Sequence, residues 1–245
     1  MAAAGSCSEP MLHPAELMPR EVALPKPKLS ARHRLAEALR RRRTIRESSG
    51  RKIGAQLLSN LLYAACGVNR AHGPFGGLGI TAASASNSRE VEVYVLLAEG
   101  AYRFDAPRHA LVPVVAADLR RYAFGPRQPQ HSSSAPLQLV FVADVDRLEH
   151  SAGFDEPGLH DADVQRTYYL VDTGMIAANV YLLAAASRLA CWFHHCDREK
   201  LARELGLKKS QRVLFAQTLG HPLNATELGD SGQIGLQVVV PPRSP

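Results

Sequence analysis

Apolar positions change period several times along this chain, and each change marks an element. Leu35, Ala36 and Leu39 recur at helical spacing behind Ser30, a suitable N-cap, so the pattern predicts a first helix running into a block of arginines. Leu57, Leu58, Leu61, Leu62 and Ala65 form a second apolar stripe over Ala55 to Cys66, with Gly67 as its stop. Asn69 to Gly79, with four glycines and a proline, reads as a loop, and Ala82 to Asn87 as a small polar turn. Period two takes over at Val91-Glu92-Val93-Tyr94-Val95, and Glu99-Gly100 turns the chain into Tyr102-Arg103-Phe104 as a hairpin partner. Arg120 to Ala135 is Pro/Ser-rich and predicts a flexible loop. Leu137 to Asp144, Val213 to Leu219 and Leu236 to Val240 complete the strand set.

Val164 to Ser187 is apolar on nearly every side of a helix. Such a helix has to be surrounded, in the centre of the fold or in a subunit interface. Asp172 and Asn179 interrupt it, which favours a buried core helix over a membrane span. Asp197 can cap a short helix through Leu205 that Gly206 ends. Helices and strands alternate without a regular βαβ period, so the expected class is an α+β layered fold, not a doubly wound sheet. Residues 1–28 carry five prolines and predict an extended or disordered lead-in, leaving 29–245 as one domain.

Composition narrows the function. A hydrophobic fraction of 46% and a charged fraction of 21% are ordinary for a soluble domain of 245 residues. The net charge of +6 is concentrated in Arg40-Arg41-Arg42-Arg43-Thr44-Ile45-Arg46, where guanidinium forks suit a phosphate. Aromatics are only 6% and do not interleave with the basic residues, so a local phosphate site is favoured and a nucleic-acid face is not expected. The four cysteines are too scattered for a disulfide framework, and the N-terminus lacks a continuous apolar signal core. A reducing, cytoplasmic setting without membrane association follows as the expectation. Cys191-Trp192-Phe193-His194-His195-Cys196 offers metal-ligand types. Structural zinc usually draws on two separated pairs, so no metal is expected, and the segment lacks the local signature of a thiol nucleophile.

Several of these segments resemble a family. Arg42-Arg43-Thr44-Ile45-Arg46 is similar to the opening motif of FMN-dependent nitroreductases. Leu61 to Arg70 resembles the segment that follows in a subgroup near the SagB-type dehydrogenases. Ala83 to Asn87 stands where the family has a Pro-Ser-Ser-type turn, Asp172 to Leu182 resembles its long central helix, and Gln217 to Pro222 its closing strand. The resemblance implies a nitroreductase-like α+β layered fold with a central antiparallel-rich sheet, a long buried central helix and a homodimer with FMN at the interface. Electrons would pass from NAD(P)H through FMN to a small acceptor such as a nitro or quinone compound. By position, Arg42, Arg43, Thr44 and Arg46 would hold the phosphate and pyrimidine edge, Ser84 and Asn87 would reach the flavin from the neighbouring subunit, and Phe193, His194 and His195 would lie near its N5 edge. Ala83, Arg89, His194 and His195 depart from the usual residues. Catalysis would belong to the cofactor, with no catalytic side chain of the protein's own. A SagB-like oxidation of peptide azolines and a non-enzymatic basic binding module are the alternatives.

Overall fold

The computed structural model of the chain describes residues 19–30, 35–125, 134–154 and 159–224. The expected strand at 236–240 and residues 1–18 of the lead-in lie outside them. In chain order the elements are β1 (Val22–Ala23), α1 (Leu35–Arg41), β2 (Ser48–Ser49), α2 (Ala55–Cys66), β3 (Val68–Arg70), β4 (Gly79–Ile80), β5 (Val91–Leu97), β6 (Gly100–Asp105), β7 (Ala110–Val115), β8 (Leu137–Asp144), α3 (Val145–Glu149), α4 (Ala162–Ala186), β9 (Ala190–His194), α5 (Arg198–Glu204) and β10 (Gln211–Pro222). Short 3-10 turns cover Pro74–Gly76, Ala85–Asn87 and Arg120–Ala123.

One antiparallel sheet, ordered β1-β7-β6-β5-β8-β10-β2, organises the chain, and β9 shares the outer edge of β10 with β2. Its central strand β8 shows how the sequence specifies two faces. Leu137, Leu139 and Phe141 enter a core shared with α2 and α4, while Val140 and Val142 enter a second core capped by Leu201 and Leu205. Successive side chains point to opposite faces, so a strand covered on both sides reads as an unbroken apolar run. The result is the expected α+β layered architecture.

Two helix ends are set by specific contacts. A Cβ on Gly67 would stand 2.7 Å from Tyr63 Cα, so α2 stops where only glycine lets the chain fold back over it. Gly206 takes φ +63° just past α5, whose N-cap Asp197 accepts a hydrogen bond from Lys200 N.

The first helix ends in the arginine run, as expected: its last helical bond is Arg42 N to Ala38 O, and Ile45 N donates to Cys191 O of β9. Arginine is a good helix former, so the β-branched Thr44 and Ile45 and the pairing with β9 set this end. Helix α4 is not covered all round by its own chain. Ile176, Ala177, Val180 and Ala184 are buried, but Val171 and Met175 are 58% and 48% exposed. Val164, Tyr168, Val171, Met175, Ala178, Leu182 and Ala185 follow one another at alternating spacings of four and three, a heptad seam on the side away from the sheet.

Helix α4 begins with Asp161, whose Oδ1 accepts from Asp163 N at 2.9 Å and Val164 N at 3.1 Å. Loss of such an N-cap costs about 0.5–2 kcal/mol. Urea unfolding of Asp161→Ala is therefore expected to show a loss in that range with the m-value unchanged; an unaltered midpoint would mean that tertiary packing alone sets this helix start.

Candidate functional site

Beyond Arg41 the chain leaves the helix and passes beside β9, where Ile45 N donates to Cys191 O. The guanidinium carbon of Arg42 lies 5.5 Å from the Tyr181 ring centroid, and that of Arg46 lies 5.4 Å from the Trp192 centroid. Thr44 Oγ1 is 3.1 Å from Tyr181 Oη, which also accepts from Phe193 N at 2.8 Å. Arg42 and Thr44 meet Tyr181 on the α4 side, whereas Arg46 meets Trp192, which alternates with Cys191 and Phe193 along β9 and packs beside Phe124 and His194. Arg43 and Ile45 line a narrow crevice with Arg41, Tyr181, Arg188 and Cys191. Stacking on an aromatic face orients a guanidinium while leaving its edge N–H groups available to an oxyanion. Tyr181 ties α4, β9 and the arginine segment together. Burial raises its phenol pKa, so it stays neutral and able to bond both partners.

The second cluster is the turn around Ala85–Asn87. Ser86, Asn87 and Arg89 take φ of 48°, 52° and 52°, in the left-handed region that non-glycine residues usually avoid. Their strain, about 1–3 kcal/mol each where the surroundings hold it, is met by a dense set of bonds. Ala85 N donates to Asp172 Oδ2 at 2.8 Å, Asn87 Nδ2 to the Pro74 and Leu78 carbonyls, Arg89 N to Ser84 Oγ, and Ser86 Oγ to Gly153 O. A cavity of about 490 Å³ opens beside this turn, lined in part by Asn69, Phe75, Ala83, Ser84 and Asn87.

These two clusters are not brought together within one chain. One hangs from Asp172 and the other from Tyr181, nine residues further along α4 and so about 13 Å away.

The hexapeptide Cys191–Cys196 resolves into alternating positions of β9 and its exit. Cys191 faces the α4 core, where its Sγ accepts from Gln217 Nε2 at 3.1 Å, and Cys196 packs in the opposite core. Burial pushes both thiols up, Cys196 to about 12, which holds them as inert thiols. Phe193 packs on Phe141 and Phe215, and its N–H is taken by Tyr181. His195 is exposed. The His194 ring is buried, stacked on Phe124, with Nδ1 2.9 Å from His195 O and Nε2 2.8 Å from Thr218 Oγ1. Its side chain is engaged inside the fold.

Sequence reasoning missed Tyr181, Trp192 and the hold of Asp172 on the turn. The signal for Asp172 was present: a carboxylate inside an apolar helix needs a partner.

A model of the nitroreductase family matches residues 39–221. A protein of Methanocaldococcus jannaschii that carries the provisional name of nitroreductase is 27% identical over 160 residues, covering 62% of this chain and 74% of its own. Among solved structures, a provisionally named nitroreductase of Ralstonia eutropha superposes with a TM-score of 0.74 at 30% identity, covering 90% of this chain and 97% of its own. The NADPH:FMN oxidoreductase of Vibrio harveyi, solved with NAD+, shares the fold at a TM-score of 0.53 and 20% identity, covering 86% of this chain and 77% of its own.

Burial holds the His194 pKa down to about 4, against 6.5 for the free side chain. The unfolded chain therefore binds the proton more readily. The stability this neutral ring supplies is complete above pH 6.5 and is lost as pH falls from 6.5 towards 4. Wild type is expected to lose roughly 2–3 kcal/mol more than His194→Gln over that window in chemical denaturation. Equal losses in the two proteins would show that this ring does not report its burial.

Proposed function

The chain belongs to the nitroreductase family, and from that premise we propose that it is an FMN-dependent oxidoreductase working as a homodimer, with each flavin site built from two subunits. The observation that carries this reading is the separation of the two clusters along a helix whose outer side is an exposed heptad seam. A two-fold axis normal to α4 lays two copies antiparallel. The Asp172 end of one helix then meets the Tyr181 end of the other, and the Ala85–Asn87 turn of one subunit faces the arginine segment of its partner.

The residues present fit FMN. Arg42 and Arg46, whose guanidinium carbons lie 5.5 Å and 5.4 Å from the Tyr181 and Trp192 ring centroids, would supply charge-assisted bonds to a phosphate dianion, with Thr44 between them in the chain. The cavity over Ala83 and Ser84 admits a flat ring, and the Ser84 proton and Asn87 Oδ1 face no partner among the hydrogen bonds of the described residues. Arg43 lines the adjoining crevice with Tyr181 and adds to the local positive field. Phe193 and His195 lie at the end of β9; the Phe193 N–H stays with Tyr181. Bound flavin supplies the redox chemistry, taking reducing equivalents from NAD(P)H and delivering them to a small acceptor such as a nitro or quinone compound. The protein's part is to bind, orient and exclude water. A setting in the cytoplasm agrees with the buried, unpaired thiols of Cys66, Cys191 and Cys196.

Purified protein is expected to be yellow and to release close to one FMN per subunit on denaturation. Arg46→Ala should weaken FMN binding roughly ten- to hundredfold, the scale of a lost charge-assisted bond of about 1.5–3 kcal/mol. Arg40→Ala should leave it nearly unchanged. A colourless protein that takes up no added FMN would refute the cofactor, and equal effects of the two variants would mean a diffuse basic patch.

Met175 lies at the middle of the seam, where an added charge would be buried by a partner. Light scattering should therefore report a dimer for wild type and a monomer for Met175→Glu, with FMN affinity falling in step. A wild-type monomer carrying its full flavin would contradict the shared site.

A further inference from the structure

Two buried carboxyl groups lie behind the strained turn, and the cofactor reading gives them no role. Glu90 is fully buried and Asp172 is 6% exposed. Asp172 Oδ2 accepts the Ala85 N–H at 2.8 Å, and Ser88 Oγ donates to Glu90 Oε2 at 2.5 Å. Each therefore holds one end of the Ala85–Ser88 segment. Glu90 Oε1 makes no hydrogen bond to a side chain or backbone group among the described residues, so an ionised Glu90 would leave a bare buried oxygen.

We propose that Glu90 and Asp172 act as a proton-sharing pair that positions the Ala85–Asn87 turn for flavin, so that loss of the shared proton loosens the turn and weakens binding. This rests on the reading of that turn as half of the flavin site. With one proton between them, Glu90 is the acid and Asp172 the ionised acceptor that grips Ala85. With none, two carboxylates face each other in a dry environment. The cheapest relief is for Asp172 to swing towards water and release Ala85 N–H, letting Ser86 and Asn87 leave the left-handed region.

The surroundings agree. Among the described residues, the charged group acting on Glu90 is Asp172, and the one acting on Asp172 is Glu90. Arg147 of α3 donates to the carbonyl of Arg89 and to Glu92, and the Arg89 guanidinium donates to Asn87 O. Burial raises both carboxyl groups, Glu90 to about 7. A group whose native pKa is raised favours the protonated native form, so the effect is complete below about pH 5 and is lost as pH rises through 7.

The test measures FMN affinity of the full chain from pH 6.5 to 8.5, together with the protection factor of the Ala85 amide in FMN-free protein. Wild type is expected to lose affinity with rising pH, by about threefold to tenfold per unit above pH 7, the limit for one linked proton. Protection at Ala85 should fall in parallel. Glu90→Gln keeps a neutral donor and should flatten both profiles while matching wild type at pH 6.5. Asp172→Asn, a second variant should the first not fold, keeps an oxygen for the Ala85 N–H and gains an amide donor towards Glu90, so it should likewise flatten both profiles. Parallel profiles in wild type and Glu90→Gln, with FMN bound by both, would overturn the carboxyl pair and leave the flavin site standing. Absence of FMN binding at pH 6.5 would overturn the flavin reading, and a pH-independent Ala85 protection factor in FMN-free protein would overturn the carboxyl pair.

Discussion

Helix α4 has no side that can face water cheaply, and the rest of the structure answers that constraint. Beyond its polar first turns, with Asp163, Arg166 and Thr167 exposed, this helix of 25 residues carries apolar residues on every side, and they must be covered by something. The sheet and α2 cover one side through Ile176, Val180 and Ala184. Burying a large apolar side chain is worth about 1.5–3 kcal/mol, so the residues left at the seam represent a substantial drive to association. The same helix carries the polar atoms that fix both candidate clusters: Asp172 for the turn, Asn179 for the Thr81 carbonyl, and Tyr181 for Thr44 and Phe193. One element therefore sets the spacing of the two candidate clusters along the chain.

Charge concentration becomes useful only through backbone geometry. On a continuous helix, the arginines would radiate around the axis, and repulsion would favour solvation. Leaving the helix after Arg41 gives them different surroundings instead: Arg42 lies over Tyr181, Arg43 lines the crevice and Arg46 lies over Trp192. The backbone bond from Ile45 N to Cys191 O and the burial of Ile45 hold this segment against β9.

Much of this was legible in the sequence where local pattern and final packing agree. The stripe of α2, the alternation of β5, the run of β8 and the cap-and-glycine punctuation of α5 all appear in place. β7 escaped notice because Pro113 interrupts it, and β9 because its residue types resembled a chemical motif more than a strand. β1, β2 and β4 are two residues long and exist only through partners distant in sequence. The site was half legible. Arg42, Thr44 and Arg46 announce themselves as a charge block, whereas the part played by Tyr181 depends on Thr44, 137 residues away. The His194 side chain, placed near the flavin by resemblance alone, packs on Phe124 inside the fold.

The central claim, one flavin site shared by two subunits, is tested most directly by complementation. Arg46→Ala and Asn87→Ala subunits, each weak in FMN binding as homodimers, would be unfolded together, refolded and isolated as the mixed dimer by differential tags. A shared site places both substitutions in one pocket and leaves the other intact, so the account predicts one FMN per mixed dimer at wild-type affinity. A site confined to one chain would leave every pocket damaged. A mixed dimer with no tight FMN, formed from subunits that each fold, would contradict the account.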